Sequence, residues 1–183
     1  MRKRSVAFIS VGASLLALTV SAPALAAPSA DTIVTFEVTE GSLDITAPAG
    51  PVDLGSASPG GTITSQLGTV SVSDTRGGAT SPWVASVFAT DFTVAALTVP
   101  FAAVEYWSGD LTASSGGGTF TAGQLTADDA VPLTGTTLTA VTAFTHSGGT
   151  GGSTASWNPT LIVSVPITAQ VGTYTGTVTH QVA

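Results

Sequence analysis

The chain has 183 residues, 43% of them hydrophobic and only 8% charged, with four basic residues against eleven acidic ones and no cysteine. Disulfides, thiolate metal sites and cysteine nucleophiles are therefore excluded. So is nucleic-acid binding, which needs clustered Lys and Arg.

The first element is a targeting segment. "MRKRS" is cationic, "VAFISVGASLLALTV" is apolar, and "SAPALAA" carries the A-x-A pattern at Ala24 and Ala26. This reads as a secretory signal peptide over residues 1–26, and its apolar run is shorter than the ~20 residues that span a bilayer. Cleavage after Ala26 removes Arg2, Lys3 and Arg4. Arg76 then stands alone against eleven acidic residues, a net charge of −10 for a single domain over residues 27–183 that has no membrane span.

From there the hydrophobic period is two, and no surface-helix spacing appears. "TIVTFEV" (32–38) predicts a strand with Val34, Phe36 and Val38 on one face, a turn at Glu40–Gly41, and a second strand in "GSLDITA". "PAGPVDLGSASPGG" is a loop and "TITSQLGTVSVSD" a strand. "WVASVFATDF" is apolar on both faces, which marks a central strand. "LTASSGGGTFTAG" reads as a glycine-rich loop, and "QLTADDAVPLTG" as the place for a short helical turn. "TTLTAVTAFTH" is a strand followed by the flexible "SGGTGGSTA", beside which His146 reads as a solvated loop residue. "SWNPTLIVSVPI" aligns Leu161, Val163, Val165 and Ile167, and "GTYTGTVTHQVA" forms the last strand, with His180 on the same face as Val178 and Val182. The fold class is all-β, a single antiparallel β-sandwich of about eight or nine strands.

Chemistry is sparse. Two histidines without H-E-x-x-H spacing make no zinc site, and no nucleophile elbow follows the leader. Asp128 and Asp129 are neighbours and make a poor acid–base pair; they read as surface carboxylates. Neither catalytic residues, metal ligands nor cofactors are expected. The candidate binding residues are the aromatics Trp83, Trp107 and Tyr106, able to stack on sugar rings or anchor a partner; the alternative for Trp83 is a place in the core.

Four stretches, "TFEVTEGSLDITAP", "LGTVSVSDTRGG", "WVASVFATDFT" and "NPTLIVSVPITAQVGTYTGTVTHQV", resemble the WxL-domain family of secreted cell-surface proteins of Gram-positive bacteria, in particular its WxL-like actinomycete members. The resemblance implies a non-enzymatic β-sandwich held non-covalently on peptidoglycan or on other cell-surface proteins. The first W-x-L slot holds Trp83-Val84-Ala85, and the second holds His180-Gln181-Val182, a histidine in the tryptophan position. His180 is expected to be a packed ring with one hydrogen bond. Two alternatives stand beside this reading: a fibre or adhesin subunit paired through the C-terminal strand, and a glycan-active enzyme.

Overall fold

A computed structural model describes residues 28–183. The leader and its cleavage position lie outside the described residues. The chain divides into two units, Met1–Glu37 and Val38–Ala183. In the first, residues 28–37 run without regular secondary structure and expose Ile33, Val34 and Phe36. The strand expected over 32–38 is therefore not formed. Alternation supplies an apolar face, but a strand also needs a backbone partner, and this segment has no ladder.

The second unit is built from antiparallel strands: β1 (Leu43–Thr46), β2 (Thr62–Gln66), β3 (Val70–Asp74), β4 (Trp83–Ala89), β5 (Phe92–Val94), β6 (Leu97–Val99), β7 (Val104–Trp107), β8 (Leu111–Ser115), β9 (Thr119–Ala122), β10 (Val131–Pro132), β11 (Val141–Ser147), β12 (Ser153–Trp157), β13 (Thr160–Ser164) and β14 (Val178–Val182). They form sheets of order β1-β3-β12-β8, β10-β7-β13-β2 and β14-β4-β11-β9, with β5-β6 as a separate pair. The class is all-β, as the period-two pattern predicts. The helical turn expected in "QLTADDAVPLTG" is a 3₁₀ turn at Ala127–Asp129, closed by a reciprocal Thr126–Asp129 capping box.

Three stretches pass from the first sheet into the second, and each breaks at one level. Gly68 adopts φ +103° between β2 and β3, Gly109 adopts φ +71° between β7 and β8, and Asn158-Pro159 separates β12 from β13. Two of the breaks are tied together: the Gly68 N–H donates to Asn158 Oδ1 at 3.0 Å and the Leu67 N–H to the Pro159 carbonyl at 2.8 Å. Glycine supplies the left-handed backbone, and proline removes a donor where the ladder stops.

Several local expectations change. Glu40–Gly41 is not a hairpin turn; Gly41 lies against the Thr75 backbone, where a Cβ would collide, and the Thr75 N–H donates to the Ser42 carbonyl at 2.8 Å. The glycine-rich stretch is mostly strand, β8 and β9, with Gly116–Gly118 crossing between two sheets. β4 is central but not buried on both sides: Trp83, Ala85, Val87 and Ala89 face the core while Val84 is exposed. β13 stops at Ser164, and Ile167 is exposed.

The core joins side chains from all three larger sheets, with Val70, Val72, Trp83, Val87, Tyr106, Phe144, Trp157 and Leu161 each at most 2% exposed. A bulge in β11 matters most for chemistry. Thr142 pairs with Ser86 and Phe144 with Ala85, so Ala143 is the extra residue. The inserted residue reverses the inward–outward phase and turns Phe144 and His146 into the core.

Candidate functional site

The first cluster surrounds the second W-x-L slot. In β14, His180 stands opposite Val87 of β4 and points toward rings from other sheets. Trp157 Nε1–H donates to the Tyr106 hydroxyl at 3.1 Å, and that hydroxyl meets His180 Nε2 at 3.3 Å. Phe144 packs on Trp157 with centroids 4.8 Å apart. The single hydrogen bond expected of His180 is present, but its Nδ1 is buried with no partner among the described residues. Burial disfavours the charged ring and pushes the His180 pKa down to about 4. Burial also raises the Tyr106 pKa, and the hydrogen bond from Trp157 partly opposes this.

The second cluster corrects the reading of His146. It is 3% exposed, not a solvated loop residue. Its ring stacks on Phe120 at 4.6 Å and lies 5.5 Å from Trp83. Nδ1 faces the Ser81 carbonyl at 3.0 Å and Nε2 the Gly117 carbonyl at 2.9 Å. Carbonyls only accept, so a ring with one N–H satisfies one of them and a ring with two satisfies both. Gly118, at φ +98°, lets the crossing loop approach; a Cβ there would collide with His146 Nε2. Nearby, Arg76 donates to the buried Asp74 carboxylate through Nε and a terminal nitrogen, both at 2.9 Å, and caps the Pro82 carbonyl. The guanidinium holds the Asp74 pKa below the ordinary carboxylate range.

The expected binding aromatics thus fall into two environments. Trp83 and Tyr106 are buried, with Trp83 Nε1–H 3.4 Å from Ser153 Oγ, and neither offers a ring face to solvent. Trp107 is half-buried, and its Nε1 has no partner among the described residues. Trp157 is also in the core. The structure does not bring these rings into an exposed row.

The accessible concavity lies elsewhere and escaped the sequence reading. A groove of about 950 Å³ runs between the 51–59 loop, the 169–176 segment and side chains of β2, β5 and β13. Leu54, Ile63, Phe92, Val163 and Val165 form its apolar floor and walls. Ser56, Ser58, Gln170, Thr173 and Tyr174 supply polar groups, and Asp53 is its one carboxylate among the described residues. A smaller cavity of about 250 Å³ shares Leu54, Phe92 and Gly176 with the groove and reaches His180. Its signal in the sequence was weak, because the loops that build it are over a hundred residues apart.

Among the described residues no group of three or more His, Cys, Asp or Glu side chains is placed to hold a metal ion, and no helix is long and apolar enough to cross a membrane. Compared with known proteins, the chain matches no family model and no curated protein.

Proposed function

We propose that this is a non-enzymatic cell-surface protein, exported by residues 1–26, whose groove holds an extended chain-like ligand and keeps the protein non-covalently on peptidoglycan or on partner surface proteins. The fold is read as one β-sandwich of about eight or nine strands, with β14-β4-β11-β9 as one layer and the three bent stretches, flanked by β1 and β10, as the other. The observation that carries the reading is the groove itself: about 950 Å³, lined by Leu54, Ile63, Phe92, Val163 and Val165 together with hydroxyl and amide groups, with Asp53 its one carboxylate among the described residues. Glycoside hydrolysis needs two carboxyl groups across a cleft, so this groove is suited to holding a polymer and not to cutting it.

The resemblance to WxL-like proteins supports the same reading. Its two tryptophan slots, at Trp83 and His180, lie on the adjacent strands β4 and β14 and face inward. Large rings at these positions serve packing, which leaves contact with the wall to the groove and its loops.

Sedimentation with isolated cell walls tests the proposal. The native protein is expected in the pellet, with Tyr174→Ala and Val171→Asp reducing the bound fraction several-fold; Val171 is fully exposed, so its substitution leaves the fold intact. Native protein left wholly in the supernatant would overturn wall association.

A further inference from the structure

The segment before β1 is strand-like in sequence and unpaired in the structure. Val34, Phe36 and Val38 share one face by alternation, and they are 80%, 88% and 82% exposed. Three large apolar side chains in a row on an extended segment form a ligand-like strip, where scattered single exposures would need no explanation. Two-residue steps of about 6.7 Å separate them, so the strip is about 13 Å long. The groove is of matching character, apolar at Leu54, Ile63, Phe92, Val163 and Val165, and its volume of about 950 Å³ has room for the three side chains.

We infer that residues 32–38 of one copy dock in the groove of a second copy, and that the exchange is reciprocal. The inference rests on the reading of the groove as a recognition site and names its occupant in the free protein, which a wall polymer displaces. Area decides between a closed pair and an open fibre. Burial of an apolar side chain removes roughly 100 Å² from water, so three anchors and the wall they cover account for roughly 600 Å². One such docking is the size of an adventitious contact, below about 800 Å². Two, related by a two-fold axis, reach roughly 1,200 Å², the lower bound of specific interfaces. A chain of single dockings has no such reinforcement, so the assembly closes as a dimer. Both copies are strongly acidic, so association strengthens as salt screens their repulsion.

Sedimentation velocity over a concentration series tests this on the purified protein. A reversible dimer is expected, tighter in higher salt. Phe36→Asp removes the central anchor and Val171→Asp places a charge at the groove; each weakens dimerisation at least ~30-fold, the effect of losing a buried anchor. Because the chain has no cysteine of its own, a Phe36→Cys, Val171→Cys double variant gives a second readout. Oxidation yields a covalent dimer if the strip crosses between copies. A native protein that stays monomeric, a dimer indifferent to both aspartates, or a crosslink formed only within one chain overturns the inference. These results are separable from the wall assay. Walls that pull down a strict monomer, with loss in Val171→Asp, keep the groove as a wall site and refute the dimer; a dimer that ignores walls keeps the docking and refutes wall association.

Discussion

His146 is buried and His180 largely so, both packed among aromatics, yet the core holds them in opposite ways. His146 presents each nitrogen to a backbone carbonyl, at 3.0 and 2.9 Å. His180 has one contact, at 3.3 Å, and a buried Nδ1 with no partner among the described residues. The first ring ties the Ser81 loop and the glycine crossing to β11. The second fills space beside Tyr106 and Trp157 and leaves a polar atom unmet. Burial alone therefore says little about what a histidine contributes; what its nitrogens face decides it.

Replacing each ring by an apolar one breaks the comparison most strongly. His146→Leu removes the ring N–H that these two carbonyls face, together with the stacking on Phe120, and should cost about 3 kcal/mol in denaturant unfolding. His180→Leu removes the unmet nitrogen at the expense of the Tyr106–His180 contact, two changes that offset, so its net effect should stay within about 1 kcal/mol. Equal losses at both sites would contradict the distinction.

Acid sharpens it next. With the folded His180 pKa at about 4, against 6.5 for the unconstrained ring, the unfolded chain takes up the proton first. Stability contributed by the neutral ring is complete above pH 6.5 and falls as the pH drops toward 4, by on the order of 3 kcal/mol. Urea midpoints measured across this window should decline in the native protein and lose most of that slope in His180→Leu.

The smallest effect belongs to Asp74. Its pKa is lowered by the Arg76 fork, so the ion pair contributes above 3.8, the ordinary carboxylate value, and is lost as pH falls below it. Asp74→Asn keeps one acceptor and should cost about 2 kcal/mol at neutral pH, with little further loss from this site in acid. A thermal melt at the two pH values checks both parts.

The sequence predicts some of these features and misses others for definable reasons. His180 is legible as an inward ring because β14 pairs with β4 without a register break from Val178 to Val182, so the period-two phase of the sequence carries through. His146 is not, because the bulge at Ala143 shifts the phase of β11 and nothing in "TAVTAFTH" marks where an extra residue enters. The strand expected in "TIVTFEV" has the right pattern but no neighbour. "LTASSGGGTFTAG" reads as loop through its glycines, whereas only Gly116–Gly118 make the crossing.

What the residue order determines by itself is local: period-two alternation, β-branched faces, glycines and prolines where ladders end, and the absence of thiol chemistry. What only the tertiary structure decided is non-local. It sets which extended segments find partners, where three stretches break between sheets, which way β11 faces beyond its bulge, and how distant loops enclose a groove. Alternation records only that one face of a strand is apolar. The sheet, whose hydrogen bonds link residues far apart in the chain, determines what that face meets.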